Sequence, residues 1–395
     1  MNHTFYEKKR MALENMLPDN SIAIIMAGKE VASSLDDNYP FYANNNYFYL
    51  TGIREPEGVL VIEKSDIETT EVLYIRRPDD DREKWIGRYM TAEKAAEISG
   101  ITNIRYLDQF APELLLASRH TLFFDQTIPD HQKPDYANAC DDLKPFLVRL
   151  RLIKEPEEIE LMQNAISITA KGIDALCDIT VPGAKEYELA ALFEYIIKDS
   201  GADGTAFATI AASGKNAPIL HYVENSDTVL EDTMVLFDLG AKYQGYAADI
   251  SRTLPAGGKF SEDGAKLYNA VLTAQEKIMD AYRVGASMKD IQGFSRNVLW
   301  EEGLKTGLFA EQSSIDDYYY HGIGHSLGMD THDLCIDRNL TLEPGMVVTC
   351  EPGLYLAHRD MGVRIEDDIL ITEDGPVNLS DMIPKTIEDI EARMR

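Results

Sequence analysis

The chain has 395 residues, of which 45% are hydrophobic and 27% charged, a composition typical of globular proteins with packed cores. Its 38 basic and 67 acidic residues give a formal net charge of -29, which disfavours nucleic-acid binding because phosphate backbones are repelled. The four cysteines are widely spaced without a CxxC pair, which argues against a zinc ribbon or a disulfide framework.

No segment approaches the roughly 18 apolar residues that span a bilayer, and the N-terminal segment lacks the apolar region of a signal peptide. We therefore expect a cytoplasmic protein without a membrane partner. The chain also exceeds the size at which single cores stop growing, so we expect two domains, residues 1–150 and 151–395.

The first half alternates predicted strands and helices, which is typical of an α/β domain with a mixed or parallel sheet. Helices are predicted over Glu7–Leu17 and Ala92–Ser99. Short apolar runs bounded by polar residues predict strands at Ser21–Met26, Tyr47–Leu50, Gly58–Ile62, Val72–Ile75 and Leu122–Phe124.

The segment Lys144–Glu158 combines a strand-like run with a Lys-Glu-Pro break, and we interpret it as the joint between the domains. After it, Glu157–Asp178 has apolar residues at helical spacing, and Pro156 stands where a helix start tolerates proline. The fold class is therefore α/β (α+β). The second half is predicted to contain helices Glu186–Ser200, Glu262–Tyr282 and Met288–Glu302, and strands Ala206–Ala211, Met234–Asp238, Met346–Glu351 and Gly362–Ile371.

Two aspartates in FDLGAKYQGYAADISRT stand where ordinary folding disfavours them. One strand is predicted to end at Asp238, and a return strand contains Asp249. With Tyr243 and Gln244 at the hairpin tip, the two carboxylates oppose each other, which is destabilising unless a cation lies between them. A metal ion resolves this conflict. The alternative is that one aspartate is a turn residue and the other caps a helix.

Four of the eight histidines, His221, His321, His325 and His332, fall in the second half, and three of these four lie within HGIGHSLGMDTHD. His321 and His325 are four residues apart, but the glycines between and after them disfavour a regular helix. Glycine instead allows close backbone approach in a crowded pocket. A single histidine would more commonly be a surface or core residue, whereas this cluster with His332, and His221 earlier in the chain, indicates a functional site.

Two glutamates complete the set of candidate site residues. Glu351 follows an apolar run and so ends a buried strand, and Glu366 shares a strand face with Arg364 and Asp368. Each glutamate alone could be an exposed edge-strand acid. In combination with the hairpin and one histidine, they form a set of four carboxylates and one imidazole: Asp238, Asp249, His325, Glu351 and Glu366.

This set contains no thiolate, is too anionic for a structural zinc site and suits hard or borderline divalent ions. One ion would not neutralise four carboxylates. Two ions bridged by some of them would, and such pairs, about 3.5 to 4 Å apart, activate a shared water and polarise a carbonyl.

The order of these residues carries a resemblance: Asp, Asp eleven positions later, His in HGxGH, Glu in EPG and Glu in VRIED. It closely resembles the metallopeptidases of the pita-bread fold, most of all the Xaa-Pro aminopeptidases (aminopeptidase P), with prolidase next. The resemblance extends to YANNNYFYLTGIREPEGVLVI, EKWIGRYM and LRLIKEPEEIELM, and so covers nearly the whole chain. Methionine aminopeptidases lack such an N-terminal half. The resemblance implies an aminopeptidase P/creatinase-like domain followed by a catalytic pita-bread domain.

For the metals, the resemblance implies two divalent ions, usually manganese, although cobalt, zinc or iron would also fit. Asp249 and Glu366 would bridge them, Asp238 would bind one ion, and His325 with Glu351 would complete the other. The implied reaction is hydrolysis of the N-terminal Xaa-Pro bond of peptides by a dinuclear metal-activated hydroxide.

For catalysis, the resemblance implies that His221 and His332 border the substrate carbonyl and stabilise the oxyanion. His321 would lie on the leaving-proline side, and Arg364 would hold the carboxylate geometry. Glu351 would accept the proton of the attacking water and pass it to the proline nitrogen.

The resemblance also implies a homodimer or homotetramer in which Trp85 reaches a neighbouring subunit's site, although a lone tryptophan is more often a core residue. One departure is the short segment Asp333–Leu342, where family members often have a longer glycine-containing turn, so the leaving-group side is left open. The alternatives are a prolidase, which cleaves dipeptides, and a non-catalytic binding module. The module and a metal-free creatine-cleaving hydrolase are disfavoured because no metal ligand is missing.

Overall fold

A computed structural model of the chain describes residues 1–335, 337 and 339–395. The chain divides into two compact units, Met1–Arg151 and Leu152–Arg395, here called unit 1 and unit 2. Within the described residues, none of the helices is long and apolar enough to cross a membrane.

Unit 1, every residue of which is described, is built on a mixed six-stranded sheet. Its strands are β1 Ser21–Met26, β2 Val59–Lys64, β3 Thr69–Ile75, β4 Ile104–Tyr106, β5 Thr121–Phe124 and β6 Asp141–Asp142, and its helices are α1 His3–Met16, α2 Asn45–Thr51, α3 Asp80–Ile86, α4 Ala92–Ser99, α5 Pro112–Leu116 and α6 Lys144–Leu152. The strand order is β4-β3-β2-β1-β5-β6, with β1 antiparallel to β2 and parallel to β5. The predicted mixed α/β organisation is confirmed.

The predicted strand Tyr47–Leu50 is wrong, because these residues belong to α2. The Asn44 side chain accepts hydrogen bonds from the backbone N–H groups of Asn46 and Tyr47, which starts a helix. Gly52, with a φ of 72°, ends it. A short, fully buried aromatic run has no periodicity that separates a strand from a helix, so the two flanking residues decide the structure.

Unit 2 combines long helices with small antiparallel sheets. Its helices are α7 Pro156–Ile179, α8 Glu186–Asp199, α9 Glu262–Met279, α10 Met288–Thr306 and α11 Ile387–Arg393, and its strands are β7 Gly204–Thr205, β8 Ile210–Ser213, β9 Met234–Leu239, β10 Ala241–Tyr243, β11 Tyr246–Ala247, β12 Ile250–Pro255, β13 Val347–Cys350, β14 Gly353–Leu356, β15 Met361–Arg364, β16 Asp367–Thr372 and β17 Gly375–Asn378. Strands pair in the orders β12-β9-β8, β11-β10-β7, β13-β16-β17 and β14-β15.

Three further predictions need correction. The strand-like run after Lys144 is the helix α6, whose buried residues Leu147, Val148 and Arg151 follow helical spacing. The strand predicted at Ala206–Ala211 begins later, at β8, and ends at Ser213. The strand predicted over Gly362–Ile371 is interrupted at residues 365 and 366, between β15 and β16.

Candidate metal centre

The hairpin that carries both aspartates turns at Gln244 and Gly245. Both residues have positive φ, 48° and 91°, as a two-residue type I′ loop requires. Tyr243 pairs with Tyr246, so the tip lies one residue later than predicted.

In the observed register of the hairpin, Asp238 does not lie directly opposite Asp249. Asp238 pairs with Ser251, so the predicted face-to-face pairing is wrong. Asp249 stands two residues before Ser251, which makes the two aspartates diagonal rather than direct neighbours. Both still line one cavity, so the electrostatic conflict inferred from the sequence remains.

His325 is held by close contact between its loop and β13. A Cβ placed on Gly324 would lie 2.0 Å from the Thr349 carbonyl oxygen. This approach allows the His325 N–H to donate to Thr349 Oγ1 at 3.1 Å, and the Thr349 N–H to donate to the His325 carbonyl at 2.9 Å. As predicted, the HGIGH segment does not form a helix, and Gly324 permits a backbone contact that a side chain would block.

Glu351 and Glu366 are not exposed edge-strand acids. Glu351 directly follows β13, and its side chain is 17% exposed. Glu366 lies in the break between β15 and β16, is 2% exposed, and its N–H donates to the Ser251 carbonyl at 3.1 Å. Through this hydrogen bond, the backbone of Glu366 connects the segment between β15 and β16 to the hairpin that carries the two aspartates.

All five predicted ligands line one cavity of about 360 Å³ in unit 2. His325 Nε2 lies 3.4 Å from Asp249 Oδ2 and 3.7 Å from Glu351 Oε1. Ligand atoms of Asp249, His325 and Glu366 all lie within 4.8 Å of one another. The cavity is also lined by His221, His321, His332, Arg364, Phe207, Ala208, Ile210, Leu220, Val223 and Thr331.

Crowding of acids in this cavity disturbs their titration. Burial raises the pKa of Asp249 to about 6 and that of Glu351 to about 7. Burial and the charges of Asp249 and Glu351 raise the pKa of Glu366 well above its usual value. Burial opposes the charged form of His325, but the adjacent Asp249 and Glu351 carboxylates outweigh it and raise its pKa to about 9. These shifts mean that the cavity favours positive charge near its carboxylates.

The donor set fits divalent cations. Asp238 Oδ1 is buried and, among the described residues, has no hydrogen-bond partner, which is costly for a carboxylate oxygen unless a cation binds it. His325 Nδ1 lies 3.2 Å from the Ser326 carbonyl; because a carbonyl only accepts, Nδ1 carries a proton and Nε2 faces the carboxylates. A second ring hydrogen bond of this kind is usual for metal-binding histidines.

Arg364 connects the carboxylates to the rest of the cavity. Its guanidinium donates to Asp238 Oδ2 at 2.6 Å, to Ser251 Oγ at 2.8 Å and to the Tyr355 hydroxyl at 2.9 Å. Ser251 Oγ in turn donates to Glu366 Oε2 at 2.7 Å. One buried arginine therefore orients two of the four carboxylates.

Sequence reasoning missed Ser251, Tyr355 and the buried Asp368, whose Oδ2 accepts the Asp249 N–H at 3.3 Å. Ser251 could have been found, because it stands two residues after Asp249 and such residues share a strand face. Tyr355 has no comparable signal, since a tyrosine in an apolar strand is ordinarily a core residue.

The three remaining histidines occupy different environments. His321 Nδ1 lies 2.7 Å from the Gly322 carbonyl and therefore donates to it, so Nε2 accepts from the Tyr355 hydroxyl at 2.8 Å. Burial and the charge of Arg364 lower the pKa of His321 to about 3, which keeps its ring neutral. His332 and His221 are exposed at the cavity.

Two further sequence observations concern residues that are not members of this cluster. Trp85, in α3 of unit 1, is 88% exposed, so the core alternative is wrong. The short segment Asp333–Leu342 includes Ile336 and Arg338, which lie outside the described residues. Asp333 is described, and its carboxylate forms a buried ion pair with Lys154 at 3.2 Å.

Comparison with known proteins places these features in context. The sequence pattern of metallopeptidase family M24 matches residues 160–373, and that of the aminopeptidase P N-terminal domain matches residues 6–123. The chain is 34% identical to the Xaa-Pro aminopeptidase of Escherichia coli, over 98% of this chain and 97% of that protein. Two structures of E. coli aminopeptidase P, one with the inhibitor Pro-Leu and one zinc-substituted with product, each give a TM-score of 0.92 at 32% identity, covering 100% of this chain and 98% of theirs.

Proposed function

This chain belongs to metallopeptidase family M24, with the Xaa-Pro aminopeptidases among its relatives, and we propose that it releases the first residue of peptides with proline second. The observation that carries the proposal is the convergence of four carboxylates and one imidazole, from separate segments, in one cavity. Unit 2 has the pita-bread fold of these enzymes.

We propose that Asp238, Asp249, His325, Glu351 and Glu366 hold two divalent ions, most suitably manganese, because the donors are mainly oxygen with one nitrogen. When bound, such a pair lowers the pKa of a shared water and polarises the substrate carbonyl. Cobalt, zinc and iron suit the same donors. Metal analysis of protein purified without added metal would identify the natural ion.

The environment of each carboxylate supports different ligand roles. Asp249 and Glu366 would be shared by the two ions, as the resemblance to the family implies, and their ligand atoms lie close enough for this, within 4.8 Å of each other and of His325. Asp238 is proposed to bind a single ion, because Arg364 already engages its Oδ2. His325 and Glu351 would complete the second ion's ligands.

Proton transfer is proposed for Glu351. Its carboxylate lines the cavity, with Oε1 3.7 Å from His325 Nε2, and so stands beside the place where the attacking water would bind. It would take a proton from the attacking water and give it to the leaving proline nitrogen. The pKa of this group in the metal-loaded enzyme would appear in the pH profile of kcat.

The histidines are proposed to act on the substrate's carbonyl and proline sides. His221 and His332 are exposed at the cavity and would donate to the developing oxyanion. Both ring nitrogens of His321 are engaged by Gly322 and Tyr355, so we propose that it shapes the leaving-proline side and orients Tyr355 rather than transferring protons.

Two substrates separate this activity from that of a prolidase. We expect manganese-dependent release of the first residue from Xaa-Pro-Xaa, whereas a prolidase would cleave Xaa-Pro and leave the tripeptide largely intact. Turnover of neither would contradict both activities. Protein that binds no divalent ion after manganese addition would instead support a binding module.

We further propose a homodimer or homotetramer in which the exposed Trp85 contacts a neighbouring subunit. Its 88% exposure is unusual for a tryptophan and supports this role. Trp85→Ala should then lower the association constant measured by sedimentation. The cytoplasm is proposed as the compartment, in keeping with free thiols at all four cysteines; cell fractionation tests it.

A further inference from the structure

Another buried carboxylate of unit 2 is well apart in sequence from the proposed metal ligands. Glu186, the first residue of α8, has no exposed surface. Its Oε1 accepts from the Ser213 N–H and Oγ, both at 2.7 Å, and from Asn216 Nδ2 at 3.1 Å; its Oε2 accepts from the Tyr222 hydroxyl and the Asp227 N–H, both at 2.8 Å.

These five donors are neutral, so Glu186 is stabilised by hydrogen bonds rather than by an opposite charge. Five such bonds satisfy both oxygens of a carboxyl group whose burial would otherwise be costly. All of the donors belong to residues 213–227, here called the His221 loop.

The His221 loop carries His221 to the metal cavity, together with Leu220 and Val223. A second anchor ties the loop to β8: Asn225 accepts from the Ala211 N–H at 2.9 Å and donates to the Thr209 carbonyl at 2.8 Å. The backbone of the loop is therefore fixed from two sides.

The His221 ring is exposed and, within the described part of the chain, makes no hydrogen bond of its own. Its place in the cavity consequently depends on the backbone that carries it. The next residue, Tyr222, is buried and packs in one cluster with Tyr355, the tyrosine that contacts Arg364 and His321. Tyr222 thus links Glu186 to the wall of the site.

We propose that Glu186 is a positioning residue that holds the His221 loop, and with it the His221 ring, at the metal cavity. The catalytic part of this inference rests on the proposed function, because it requires His221 to act on the substrate. Glu186 itself is not expected to touch substrate or metal.

Glu186→Gln tests the proposal, because the amide side chain keeps only one acceptor oxygen. Its NH2 group would face the donors that now bind the other carboxylate oxygen. We expect kcat/KM for Xaa-Pro-Xaa to fall by about tenfold to a hundredfold, as small misplacements of catalytic groups do. Manganese content should stay at the wild-type level. Loss of metal together with activity would overturn the proposal.

Tyr222→Phe provides a milder variant in case Glu186→Gln folds poorly. Its matched control is Tyr268→Phe, because Tyr268 is likewise a buried tyrosine of unit 2 whose hydroxyl donates a hydrogen bond, to the Lys385 carbonyl at 2.9 Å. If both variants lose a similar amount of Tm but only Tyr222→Phe loses kcat/KM, the result would support a role of Tyr222 in positioning the His221 loop. Equal kcat/KM in the two variants would contradict it.

A double-mutant cycle with His221→Ala distinguishes positioning from a general loss of stability. If Glu186 acts through His221, Glu186→Gln should change kcat/KM by less than about twofold once His221 is removed, because coupled residues are not additive. An equal loss in both backgrounds would overturn the proposal.

Hydrogen exchange measured by mass spectrometry separates this inference from the proposed function, since it needs no turnover. Glu186→Gln should speed amide exchange in residues 213–227 relative to α9. Unchanged exchange in the loop would overturn the anchoring role even in an active enzyme. Faster exchange in a protein without peptidase activity would support the anchor while contradicting the proposed function.

Discussion

Gly324→Ala is expected to disable the metal site through one misplaced atom. The added Cβ would lie 2.0 Å from the Thr349 carbonyl oxygen, and real Cβ atoms essentially never come within 3.0 Å of a neighbour. The difference between these distances requires a shift of at least 1.0 Å. Thr349 cannot easily move, because β13 pairs with β16 and its carbonyl also accepts from the Tyr282 hydroxyl at 3.1 Å. The shift therefore falls on His325.

A displacement of this size costs roughly a hundredfold in activity when it moves a catalytic group, and overpacking costs about 1–3 kcal/mol of stability. We expect Gly324→Ala to lose manganese on dialysis and to show a fall of that order in kcat/KM. Metal analysis measures the bound manganese, and release of the first residue from a tripeptide measures kcat/KM.

Gly322→Ala is the matched control, because the nearest atom to its added Cβ is 3.9 Å away. It should stay within about twofold of wild type, as substitutions that meet no atoms usually do. If Gly324→Ala retained wild-type metal content and kcat/KM, the claim that backbone contact at Gly324 places His325 would be refuted.

Three further results are expected. Asp249→Ala should abolish activity and reduce bound manganese in a metal analysis, and near wild-type turnover would refute its role as a ligand. Lys154→Met should remove the cation that faces the buried Asp333 carboxylate, since both side chains are 1% exposed. We expect the free energy of unfolding in urea to fall by about 3–5 kcal/mol. The double variant Lys154→Met with Asp333→Leu should lose less stability, because it buries no charge. The Tm of the metal-free protein should fall from pH 7 to pH 9. In the folded protein His325 has a pKa of about 9 and keeps its proton over most of this range, whereas in the unfolded chain the same histidine has a pKa of about 6.5 and has lost it. Excess manganese should reduce that loss, and a rise in Tm over this range would contradict the pKa shift.

The sequence is informative where charge conflicts with apolar pattern. Asp238, Asp249, Glu351 and Glu366 stand beside buried strands, and that conflict by itself indicates a common cation. The cavity that they line in unit 2 brings together four segments distant along the chain. The single residue His325 can be chosen from its neighbours only through the order of the family's motif.

The remainder requires three-dimensional information. The register of the aspartate hairpin depends on positive φ at Gln244 and Gly245, whereas the hydrophobic pattern predicts a tip one residue away. The buried run that forms α2 has no periodic signal of its own, because short buried runs look alike in strands and helices, and only the flanking Asn44 and Gly52 mark it as a helix. The interruption at Glu366 has no sequence signal. Hydroxyl groups such as those of Ser251 and Tyr355 carry no charge signal in a sequence, although they connect the site's carboxylates and histidines.

The aspartate hairpin also has a consequence for the order of assembly. Asp238 and Asp249 lie on the two sides of one hairpin that has a tight two-residue loop, so this part of the proposed ligand set is expected to form early, because short-range contacts close fast. His325, Glu351 and Glu366 come from much later segments, and their arrival requires long-range loop closure. The proposed metal centre is therefore expected to be completed late in folding, and the rate of manganese uptake during refolding would time the formation of those long-range contacts.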